Sequence, residues 1–73
     1  MPEYIFTIRS GDQLFEAERA VALDSDEAAL NYAYELVRHL RRRGGYDDPN
    51  LVVMVRDEHR ALIFSIPFLA ASA

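Results

Sequence analysis

Apolar and polar positions alternate from Glu3 to Arg9, putting Tyr4, Phe6 and Ile8 on one side and Ile5, Thr7 and Arg9 on the other. That two-residue period, in a run rich in aromatic and β-branched side chains, predicts a strand. Ser10-Gly11-Asp12 supplies turn chemistry, since glycine permits the positive φ that a tight reversal needs. The pattern then blurs: Leu14 and Phe15 are adjacent and charged residues follow, so Gln13 to Glu18 reads as the irregular return arm of a hairpin. Ala20 to Leu23 resumes the alternation as a short strand.

The period changes at Asp24. From there to Arg43, Ala29, Leu30, Ala33, Leu36, Val37 and Leu40 collect into one stripe at about 100° per residue, which predicts a helix over about 25–43. Asp24 or Ser25 can cap its start, with Glu27 at the capping-box position if Asp24 takes that role. Asp26 and Glu27 at the first turn and Arg41 to Arg43 at the last complement the helix dipole. Gly44 suits a left-handed stop, and Gly45 and Pro49 prevent continuation. Leu51 to Arg56 and Ala61 to Ile66 follow as two strands joined by the polar turn Asp57-Glu58-His59-Arg60, ended by Pro67. The remaining tail, 69–73, is expected to fray.

The order is β-β-α-β-β, an α+β fold in which one helix packs on one face of a four-stranded, mainly antiparallel sheet. With 73 residues the chain is expected to form one domain, 1–73. A core of that size supplies only about 3–5 kcal/mol, so small domains usually add a staple. There is no cysteine, which removes disulfides and Cys-based zinc sites. Self-association remains as the staple.

The faces of the sheet point the same way. The cleaner apolar set, Tyr4, Phe6, Ile8, Val21, Leu23, Leu51, Val53, Val55, Leu62, Phe64 and Ile66, is assigned to the helix. The other face then carries Ile5, Thr7, Arg9, Val52, Met54, Arg56, Ile63 and Ser65. An apolar centre with arginines at its rim is interface-like. The expectation is a non-enzymatic homodimer acting as a protein–protein interaction module, with Ile5, Thr7, Arg9, Val52, Met54, Arg56 and Ile63 as its dimer or partner face.

The second reading is a nucleic-acid or phosphate-ligand binder using Arg38, Arg41, Arg42 and Arg43. The net charge of −4, from 8 basic and 12 acidic side chains, argues against a general nucleic-acid binder. A helix C-terminus using cations against its dipole accounts for the same residues. Glu35 and His39, spaced i, i+4, could share an ion only with a third ligand from His59 or the Asp47–Asp48 loop, so no metal site and no cofactor is assigned. His59 lies in a solvated turn, Ser10, Ser25, Ser65 and Ser72 lack a nucleophile elbow, and Gly11, Gly44 and Gly45 do not form a phosphate loop. No catalytic residue is named. The longest aliphatic run, Leu51 to Val55, is far short of the roughly 20 residues of a membrane span. Without a basic apolar leader, a cytoplasmic location is expected.

The stretch Met1-Pro2-Glu3-Tyr4 through Arg9-Ser10-Gly11-Asp12 resembles the start of a family of short bacterial proteins, frequent in alphaproteobacteria, catalogued as a domain of unknown function. Leu23-Asp24 with Glu27-Ala28-Ala29, Val55-Arg56-Asp57-Glu58 and Ile66-Pro67-Phe68 are similar to it as well. The chain departs from that pattern at Glu3, Thr7 and Ser10, where arginine, histidine and often aspartate are usual. The resemblance implies a compact bacterial protein and brings no catalytic residue with it.

Overall fold

A computed structural model describes residues 1–11, 13–44 and 48–71. The elements run β1 (Glu3–Ser10), β2 (Gln13–Ala22), α1 (Asp26–Arg43), β3 (Leu51–Arg56), β4 (Leu62–Pro67) and a 3-10 turn, Phe68–Ala71. The expected α+β architecture is found: one helix against a four-stranded antiparallel sheet, ordered β2-β1-β3-β4. β2 and β3 both run antiparallel to β1. They are therefore parallel to each other, and α1 makes the crossover between them with β1 in the middle.

The helix starts at Ser25, whose side chain accepts from the Ala28 N–H at 3.2 Å. Asp24 is not the cap, so Glu27 does not occupy the capping-box position. At the far end Gly44 takes a positive φ of 82°, and its N–H donates to the Arg41 carbonyl. Its ψ of 168° departs from a left-handed helical stop. Gly45, Tyr46 and Asp47 lie outside the described residues, as do Asp12, Ser72 and Ala73. Past the helix, Asp48 accepts from the Asn50 N–H and from the Ser10 hydroxyl, which pins the loop to the end of β1.

The buried cluster follows the two periods. Ala29, Ala33, Leu36, Val37 and Leu40 of α1 meet Tyr4, Phe6 and Ile8 of β1, Leu51, Val53 and Val55 of β3, and Ile66 of β4. The helix lies mainly over β3, β4 and the 3-10 turn. It reaches β1 through Tyr32, whose ring packs on Phe6 with centroids 4.8 Å apart, and through Asp26, which accepts from the Tyr4 hydroxyl at 2.8 Å. The tail expected to fray from residue 69 continues as a 3-10 turn through Ala71 because Phe68 is buried. Arg41 donates to the Phe68 carbonyl at 3.3 Å and ties this turn to the helix.

Three irregularities change which side chains share a face. β2 is one strand of ten residues with register shifts opposite Phe6, Ile8 and Arg9. These shifts explain why its alternation is unreadable in the sequence: each extra residue flips those beyond it. On β4 the pairs Val55–Phe64 and Arg56–Leu62 leave Ile63 as the extra residue. Leu62 therefore leaves the helix side, where alternation placed it, and stands opposite Arg56, 49% exposed. Ile63, expected on the open side, is partly buried and packs against the core cluster.

Candidate interaction face

The face away from α1 is built on the odd positions of β1 and the even positions of β3. Ile5, Val52 and Met54 are half-buried apolar residues in its middle, with Arg9 and Arg56 half-buried beside them. The register extends the face onto the edge strands, setting Leu14 opposite Arg9, Ala20 opposite Ile5 and Ser65 opposite Met54. Leu14, at 55% exposure, and Leu62 are the large apolar side chains this face leaves most open. Neither was assigned to it from the sequence, because both assignments depend on bulges that alternation alone does not reveal.

Thr7 occupies the centre and is not open. It is 3% exposed, and its hydroxyl has no hydrogen-bond partner among the described residues. Met54 lies directly across from it on β3, and β2 bulges on its other side. The position that looked like the middle of an exposed patch is buried.

One end of the face holds a cleft of about 360 Å³, with Ile5 and Ala20 as its apolar part and Glu3, Glu18, Glu58 and Arg60 around them. The β3–β4 turn shapes it. Asp57 accepts from the N–H groups of His59 and Ala61, and its backbone exchanges bonds with Arg60 and Ala61. The tight reversal puts Arg60 at φ 66°, a left-handed value uncommon outside glycine. From there its guanidinium reaches over β1 to Glu18 on β2, at 2.8 Å. The cleft is acidic overall, with three carboxylates against one guanidinium.

The arginine cluster at the end of α1 is largely occupied by the fold. Arg38 is paired with Glu35 one turn back, and Arg41 holds the 3-10 turn. Arg42 and Arg43 are exposed. Of the four anion-binding candidates, two are thus engaged within the fold and two have exposed side chains. Glu35 is engaged by Arg38 rather than by His39, and no group of three metal-ligating side chains gathers among the described residues. His59 is exposed, with Glu58 at 3.8 Å.

Two groups titrate away from their ordinary values. The hydrogen bond to Asp26, reinforced by burial, pushes the Tyr4 phenol up to about 12. The Ser10 hydroxyl and then the Asn50 N–H hold the Asp48 carboxyl below the usual carboxylate range. Both sit at element junctions and away from the open face, so they report on how the fold is fastened.

No helix among the described residues is long and apolar enough to cross a membrane. No curated protein and no solved structure matches the chain. A family model does match, over residues 4–70, and the chain belongs to that family, described as a domain of unknown function, DUF6894.

Proposed function

We propose that this chain is a bacterial, cytoplasmic, non-enzymatic module that works as a homodimer, using the sheet face away from α1 to hold a second copy or another protein. The observation that carries the reading is the composition of that face. Ile5, Val52 and Met54 form an apolar middle, Leu14 and Leu62 extend it to both edge strands, and Arg9, Arg56, Glu3 and Glu18 ring it. A partly apolar patch with a charged rim is the anatomy of an interface. The small size of the chain adds to it, because a core from 73 residues leaves stability marginal unless more surface is buried.

Molar mass by light scattering across a dilution series tests the proposal. A dimer of the 8.3 kDa chain should appear at high concentration and dissociate on dilution. Met54→Arg places a charge in the middle of the face and should leave a folded monomer at every concentration. A wild-type chain that stays at 8.3 kDa even when concentrated would overturn the homodimer.

A further inference from the structure

We draw no further inference here: the strongest candidate, the acidic cleft at one end of the open sheet face, where Glu3, Glu18 and Glu58 surround Ile5 and Ala20, is a carboxylate cluster in which nothing in the structure points to a ligand or shows what covers the face around it.

Discussion

The two faces of the sheet draw on similar residues and meet different fates. On β3, Leu51, Val53 and Val55 are fully buried under α1, while Val52, Met54 and Arg56 between them remain half-exposed. The same six-residue strand supplies both sets, so strand propensity does not separate them. What separates them is whether a second layer covers the face. The principal extents of 33 × 25 × 17 Å suit a helix on a sheet and leave no third layer among the described residues. The covered face supplies the stability of the chain, and the other face is where association can add to it.

Phe6→Ala breaks that comparison most severely. Phe6 is 2% exposed, in contact with the Tyr32 ring, and central to the covered side of β1. Truncating it should cost about 3–5 kcal/mol, comparable with the whole stability expected of a core this small. The variant should be unfolded at 25 °C by circular dichroism. Met54→Ala on the opposite side of the sheet should fold, losing well under half of that amount in urea denaturation at a concentration where the chain is monomeric. Equal losses would mean that the two faces are equally buried.

Thr7→Val, next to Phe6 on the strand but on the other face, should act in the opposite direction. Its hydroxyl is buried and unpaired among the described residues. Exchanging it for a methyl of similar shape removes the cost of keeping that group from water, about 1 kcal/mol or somewhat more. Both residues are β-branched, so the strand preference is kept. A higher urea midpoint with an unchanged slope is the expected outcome. A lower midpoint would show that the hydroxyl has a partner worth more than its desolvation.

How much of this was readable in advance follows from which features are local. The Ala29-to-Leu40 stripe is a property of a single segment, and the helix packs through it as the periodicity requires. The alternation of β1 and β3 is likewise internal to each strand, which is why Tyr4, Phe6, Ile8, Leu51, Val53 and Val55 all face the core. Strand order was not legible, because β1 pairs with β3 across some forty-five intervening residues and nothing in either strand names its neighbour. The open face was legible in part of its middle, and wrong at Thr7, which is buried, and at its corners. Ile5, Val52 and Met54 stand where alternation put them, while Leu62 and Ile63 exchange roles through a one-residue bulge. The cleft depended on a turn throwing Arg60 over β1 to Glu18 on β2, a contact that no spacing rule anticipates.

Arg60→Gly should have the smallest effect on stability and sharpens what the open face is for. Two terms of similar size oppose each other. Glycine relieves the left-handed backbone that Arg60 adopts at φ 66°, a cost of about 1 kcal/mol for a residue with a Cβ, but it returns part of that by loosening the unfolded chain. The bridge to Glu18 is between side chains 61% and 48% exposed, and such exposed pairs contribute about 0–1 kcal/mol. The denaturation midpoint should therefore hardly move. Dimer affinity should move more, in a direction set by the charge of the cleft. Without its single guanidinium the charged side chains of the cleft are Glu3, Glu18 and Glu58, and the effect of that change in charge on affinity should shrink as salt is added. A variant equal to wild type in both stability and affinity at low salt would separate the cleft from the interface and leave the apolar middle as the whole of the contact.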